Sequence, residues 1–129
     1  MGTIRIVVVD DEAMIRTVVV RKLALWGYPE TVGIVPEMSS EHTAQLILDA
    51  APNIVVIDHD FGLDFTGVNV AELLRQEGFE GDIIVFSSHS VEAQKALFGP
   101  YEILAYVVKP DSQGLREPLE RAAEKYIGR

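Results

Sequence analysis

No cysteine occurs anywhere in the 129 residues. A disulfide framework and a thiolate metal site are therefore both excluded. Positive charge is scarce: 11 Lys and Arg stand against 20 Asp and Glu, a net charge of −9. Such a chain repels a phosphate backbone overall, which argues against direct nucleic-acid binding. No apolar run approaches a membrane span and no stretch reads as a signal peptide, so a cytoplasmic location without membrane association is expected. Met1-Gly2 does not begin a myristoylation motif, because Ile6 stands where Ser or Thr is needed. Internal repeats, linkers and low-complexity segments are absent too. The remaining balance, 48% hydrophobic and 24% charged, suits one globular domain over residues 1–129.

Five short apolar runs alternate with five helix-like segments. Ile4 to Val9 reads as a first strand, β-branched and nearly continuous. Ile15, Val19, Leu23 and Trp26 then share a helical face, with Gly27 as the stop. Thr31 to Val35 is a brief second strand. Ser39 or Ser40 caps a helix whose inner face is Ala44, Ile47, Leu48 and Ala51, and Pro52-Asn53 breaks it. Ile54 to Ile57 is the third strand, and Phe61 to Thr66 a loop. A third helix turns Val70, Leu73 and Leu74 inward and ends near Gly78. Asp82 to Ser87 is the fourth strand, Val91 to Phe98 a short helix of weak periodicity, and Ala105 to Val108 the fifth strand. A last helix sets Leu115, Leu119, Ala122 and Tyr126 on one stripe, with Pro118 tolerable only in its first turn.

Strand–helix alternation with continuous apolar strands argues an α/β fold with a parallel sheet covered on both faces. Right-handed crossovers make such a sheet doubly wound, and ligands then sit outside the carboxyl ends of the strands. What collects at that edge is informative. The first strand ends in Asp10-Asp11-Glu12, the third in Asp58-His59-Asp60, the fourth in Ser87-Ser88-His89 and the fifth in Lys109-Pro110. Clustered carboxylates repel one another unless a cation intervenes, and a hard divalent ion such as Mg²⁺ with oxygen ligands is the natural solution. A metal, a lysine and a hydroxyl around a carboxylate make a receptor for a phosphoryl group, and that carboxylate can itself be the nucleophile. Each piece alone also has a plain reading. The acidic triplet and Ser87-Ser88 read as helix caps, and Asp58 and Asp60 as solvated turn residues. Their joint placement at successive strand ends favours chemistry.

This arrangement resembles the receiver domain of two-component response regulators, over essentially the whole chain and in the family's order. The resemblance rests on Asp10-Asp11, on Asp58 at the end of "NIVVID", on Ser87, on "AYVVKP" with Lys109-Pro110, and on Tyr106 three residues before that lysine. It implies a flavodoxin-like five-stranded sheet of order 2-1-3-4-5 with a cis Lys-Pro bond. It implies Mg²⁺ (or Mn²⁺) held by Asp10, Asp11, Asp58 and Asp60, the last mainly by its backbone carbonyl. Asp58 would accept a phosphoryl group from a histidine kinase or a histidine phosphotransfer protein, becoming a phosphoaspartate. Ser87 and Lys109 would bind the phosphoryl oxygens, and Ser87 with Tyr106 would switch the face offered to a downstream protein or a second copy of the chain. Such a domain catalyses its own phosphorylation and dephosphorylation and does not turn over a separate substrate.

The chain departs from the family pattern in places. Gly62 replaces the usual Pro four residues after the acceptor, and the expected Gly arrives one place late, at Gly67. The loop is thus rearranged, and its Gly favours mobility. "FGPYEIL" also replaces the usual short turn before the fifth strand. Asp60 and His89 each lie two residues beyond an active-site position, and these matching offsets suggest that they meet across the site mouth and modulate water access. The rival reading is two exposed loop residues. Strand alternation turns His59 away from Asp58, which leaves it without an expected role. Three other functions compete. Asp58-His59-Asp60 resembles the Asp-x-Asp of haloacid-dehalogenase-like phosphohydrolases, but the acidic pair precedes it here and no cap domain is present. A flavin binder would need Ser, Thr or Gly after the first strand. A non-phosphorylated receiver serving as a binding module keeps the fold but leaves the acidic site unused.

Overall fold

Val and Ile repeat without interruption in the central strands, and each of those residues is buried. In the computed structural model, which describes residues 3–126, β1 (Ile6–Val9) lies between β2 (Thr31–Ile34) and β3 (Ile54–Ile57). β4 (Asp82–Ser87) and β5 (Ile103–Val108) complete a parallel sheet of order β2-β1-β3-β4-β5. The expected strand order is therefore the observed one. Alternation along each strand divides the side chains between two cores. Ile6, Val8, Ile54, Val56, Ile84 and Phe86 face one layer, formed by α1 (Ala13–Leu25) and α5 (Arg116–Ala123). Val7, Val9, Val55, Ile57, Ile83 and Val85 face the other, formed by α2 (Ser40–Asp49), α3 (Gly67–Gln76) and α4 (Val91–Phe98). Both faces are covered, so the strands carry no polar face.

The helix signals resolve in detail. Ser39, not Ser40, caps α2 through His42 N–H at 3.0 Å. Gly27 and Gly78 take φ of +103° and +87° just beyond α1 and α3, where a glycine relieves the left-handed turn. α4 has the expected limits.

Several boundaries differ from the sequence reading. β1 begins at Ile6, although Ile4 is buried beside it, and β2 stops at Ile34, leaving Val35 exposed. Ala51 is not on the inner face of α2: the helix ends at Asp49, and Ala51 is exposed with φ of +50°. β5 starts two residues early, at Ile103 opposite Ile83, and its register then shifts so that Ala105 pairs with Ile84. The last helix is split. A 3₁₀ turn, Ser112–Leu115, carries Leu115, and α5 ends at Ala123, so Tyr126 lies beyond it. Pro118 is the third residue of α5, where a missing N–H costs nothing.

The unusual approach to β5 has its own support. Gly99–Tyr101 form a 3₁₀ turn and Glu102 turns left-handed at φ of +55°. The Arg75 guanidinium, from α3, donates to the carbonyls of Tyr101, Glu102, Phe79 and Gly81 at 2.8–2.9 Å. One planar fork thus ties this turn to the one before β4, satisfying carbonyls that belong to no ladder.

Candidate functional site

The parallel register brings the ends of β1, β3, β4 and β5 to one rim, and the polar residues follow the strands out of the core. Asp10 and Asp58 are almost fully buried, and Ser87 is completely so. Lys109 Nζ lies 2.8 Å from Asp10 Oδ2 and 2.9 Å from Asp58 Oδ2, with Glu12 Oε1 at 3.6 Å. The ammonium therefore bridges carboxylates from two adjacent strands. The other oxygen of each carboxylate is engaged too: Glu12 N–H donates to Asp10 Oδ1 at 2.9 Å, and His59 N–H to Asp58 Oδ1 at 2.7 Å. The Arg16 guanidinium holds the Asp10 carbonyl. The Lys109-Pro110 bond is cis, as the resemblance implies.

The capping alternatives do not account for these groups. α1 has Glu12 at its N-cap position with no side-chain cap bond, and the fourth helix is capped by Ser90 through Ala93 N–H at 3.2 Å. Ser87 and the acidic pair are free of that duty. Glu12 joins Asp10 and Asp11 in a carboxylate cluster whose ligand atoms lie within 4.8 Å of one another. This is a donor set of hard oxygens, which suits Mg²⁺ or Mn²⁺.

The electrostatics carry the same message. Burial pushes the Asp58 carboxyl above its ordinary value, more than the hydrogen bond and charge of Lys109 pull it down, and Asp10 adds to the rise. Burial also raises Asp11, with Asp10 and Glu12 adding repulsion. Burial pulls the Lys109 ammonium down, but its bonds to Asp10 and Asp58 and their charges together lift it above the usual lysine value. A raised carboxyl binds protons in the folded state at pH values where the unfolded chain has lost them, so its ionisation costs stability as pH rises through that window. An uncharged Asn escapes this cost. In EDTA, Asp58→Asn is expected to gain stability relative to wild type as pH climbs from below 3.8 to neutrality, read by urea unfolding. A gap that stays constant or shrinks would contradict the direction.

Asp60 and His89 do meet, with His89 Nε2 2.9 Å from Asp60 Oδ2. The His89 hydrogen bond holds the Asp60 carboxyl below the usual value, against a smaller effect of burial and with help from His59. The Asp60 side chain thus faces this pair and not the Asp10-Asp11 cluster. His59 was without an expected role, yet its Nδ1 lies 3.0 Å from Asp60 Oδ1 and 3.1 Å from His89 Nε2. The His59 ring packs edge to face with Phe98 of the second core, the face that Val55 and Ile57 share, so it keeps the side expected from alternation and finds these partners there.

Tyr106 is half-buried against the second core, and that burial raises its phenol. One residue escaped the sequence reading entirely. Gln94, fully buried on α4, donates to the carbonyls of His89 at 2.8 Å, Val107 at 3.2 Å and Ser87 at 3.4 Å. It braces the end of β4 against β5, beside Tyr106. A polar residue on the buried side of a weakly periodic helix was its only signal.

The loop after β3 is anchored by two aromatic rings and does not hang loose. Phe61 and Phe65 are buried and meet edge to face, centroids 5.8 Å apart. Gly62 takes φ of +67°, which Pro cannot adopt. Gly67 donates its N–H to the His59 carbonyl at 2.8 Å and packs directly on Asp58.

No protein-family model and no curated protein matches the chain. Solved structures do. A CheY-like receiver domain protein from Methanospirillum hungatei superposes with a TM-score of 0.79 at 18% identity, covering 96% of each chain. The receiver domain of the putative response regulator NarL from Mycobacterium tuberculosis gives 0.76 at 22%, covering 100% of both. The chain has the receiver fold. A third receiver-fold structure, the response regulator TrrA from Thermotoga maritima in complex with Mg²⁺-BeF, gives 0.75 at 24% identity, covering 92% of this chain and 98% of that one. At such identities the likeness is one of fold, and the site must be argued from its own residues.

Proposed function

We propose that this chain is a two-component receiver that accepts a phosphoryl group on Asp58 from a phosphohistidine of a histidine kinase or phosphotransfer protein. The observation that carries this is the buried Lys109 ammonium spanning Asp10 and Asp58 at 2.8 and 2.9 Å, with buried Ser87 on the next strand. Mg²⁺ (or Mn²⁺), held by Asp10, Asp11, Asp58 and the Asp60 backbone carbonyl, would neutralise charge on the phosphoryl oxygens. TrrA, of the same fold, forms a complex with Mg²⁺-BeF. The Asp58 carboxylate attacks phosphorus, a P–O bond forms, and the imidazole leaves with the electron pair of the broken P–N bond. Lys109 passes its hydrogen bond from Asp58 to a phosphoryl oxygen, and Ser87 donates to another. Drawing Ser87 inward moves the β4–α4 segment that Gln94 braces, Tyr106 follows, and the face of α4, β5 and α5 changes for a downstream protein. Asp60 and His89 border the path by which water reaches the acyl phosphate.

The test is incubation with Mg²⁺ and acetyl phosphate followed by intact-mass spectrometry over time. Wild type is expected to gain one acid-stable, base-labile phosphoryl group that Asp58→Asn does not gain. His89→Ala and Asp60→Asn are expected to change the rate of its loss. No gain in wild type would leave the binding-module reading in its place, and equal decay in all variants would remove the role of Asp60 and His89.

A further inference from the structure

Beside the carboxylate cluster, at the mouth of the same rim, stands a second group of different chemistry. His59 Nδ1 and His89 Nε2 lie 3.1 Å apart, and the Asp60 carboxylate closes this triangle of side chains with Oδ1 3.0 Å from His59 and Oδ2 2.9 Å from His89. We propose that His59, Asp60 and His89 form a binding site for a borderline-soft divalent transition metal, Zn²⁺ above all, distinct from the oxygen-lined Mg²⁺ position.

Three features support it. The first is spacing. Zn²⁺ binds imidazole nitrogen and carboxylate oxygen at about 2.0–2.2 Å, which sets neighbouring ligand atoms about 3.3 Å apart at tetrahedral corners. The N···N contact and the two N···O contacts, one to each Asp60 oxygen, need to open by only a few tenths of an ångström. The second is donor count. Each of the two facing ring nitrogens also meets an Asp60 oxygen, and one shared proton cannot serve all three contacts, whereas a cation takes a lone pair from each nitrogen. Both oxygens of Asp60 add lone pairs to the same centre. A cation placed there satisfies all three side chains at once. The third is support and access. His59 is largely buried, its ring edge-to-face with Phe98 at 6.0 Å, while the His89 carbonyl is held by Gln94 at 2.8 Å. Asp60 is 63% exposed, which gives an ion a way in and leaves room for a water as fourth ligand.

Donor type separates the two sites. Mg²⁺ demands near-octahedral oxygen ligands, whereas imidazole suits Zn²⁺, Cu²⁺ and Ni²⁺. Zn²⁺ has no geometric preference of its own and accepts a three-residue face with one open position. The net charge of −9 concentrates cations near the surface generally. An ion in this triangle pins the loop after β3 to the loop after β4, across the entrance to Asp58.

The inference does not depend on phosphoryl transfer, and its test keeps the two apart. The EDTA-stripped full chain is titrated with Zn²⁺ against a chromophoric chelator, and with Co²⁺ while visible absorption is recorded. One ion per chain is expected, with an intense tetrahedral Co²⁺ band and a Zn²⁺-dependent rise in melting temperature. His59→Gln, His89→Gln and Asp60→Asn should each weaken Zn²⁺ binding by about tenfold or more. Asp58→Asn, Asp10→Asn and His42→Gln should bind as wild type does. Absence of saturable binding would overturn the site. So would wild-type affinity in all three triangle variants, or loss of binding in Asp10→Asn, which would place the ion in the oxygen cluster. Melting curves in EDTA identify any variant that fails to fold, and the largely exposed Asp60 provides the variant least exposed to that failure.

Discussion

Replacing Lys109 with Met is expected to cost about 3–5 kcal/mol of folding stability in EDTA, the usual penalty for leaving a buried charge without its partner. Lys109 is only 10% exposed in its side chain, and its two close partners, Asp10 and Asp58, are 3% and 7% exposed. Met keeps the length and apolar character of the stem, including its place near the Phe86 ring, so the loss is one of charge. Two carboxylates then face each other in a poorly hydrated pocket with only backbone N–H donors for relief. Adding Asp58→Asn to Lys109→Met should recover a large part of the loss, because one of the stranded charges disappears. Mg²⁺ should also recover part of it by binding the carboxylates left without their ammonium partner. Urea unfolding of the two single variants and the double variant measures the coupling. A cost below about 1 kcal/mol, or strict additivity, would show that Lys109 does not compensate the carboxylates and would weaken the proposed acceptor role of Asp58.

The sequence made this cluster legible because of how parallel sheets are built. Short apolar, β-branched runs located all five strands to within two residues, and a parallel register guarantees that their last residues meet at one edge. Asp10, Asp58, Ser87 and Lys109 lie far apart in the chain yet need no long-range guess once the strands are placed. Features fixed by loop geometry were harder. Glu102 turns left-handed without being Gly, so the true start of β5 carried no local mark. Leu115 keeps helical spacing with Leu119 although it sits in a 3₁₀ turn, because i and i+4 spacing does not distinguish a helix from a tighter entry into it. His59 lies on the side that alternation predicts, with Phe98 of the second core, but its contacts with Asp60 and His89 join two loops and no strand period records them. Asp60 and His89 were paired correctly from their offsets alone. Gln94 shows the opposite limit: three carbonyls from two strand ends converge on it, and no pattern in its own helix records that.

Gly67→Ala is expected to be among the most damaging single-methyl additions in this protein, at about 3 kcal/mol or more, the upper part of the range for overpacking. A Cβ at Gly67 would stand 1.9 Å from the Asp58 carbonyl oxygen, 3.0 Å from its carbon and 3.4 Å from His59 Cα. These neighbours are backbone at the end of the central strand, so no rotamer change relieves them. The Gly67 N–H also donates to the His59 carbonyl at 2.8 Å, so moving α3 away breaks a bond as well. The first residue of α3 thus lies directly on the Asp58 backbone, an approach that only a glycine allows. Gly99 is the internal control. Its φ and ψ of −48° and −42° are helical and nothing lies within 4 Å of its Cβ position, so Gly99→Ala should be neutral or stabilising by up to about 1 kcal/mol. Thermal unfolding ranks the two variants, and acetyl phosphate labelling of whatever folded Gly67→Ala remains reports on the displaced Asp58. Equal stability of the two variants would mean that the β3–α3 junction yields easily, and the close approach would then not be what positions the acceptor.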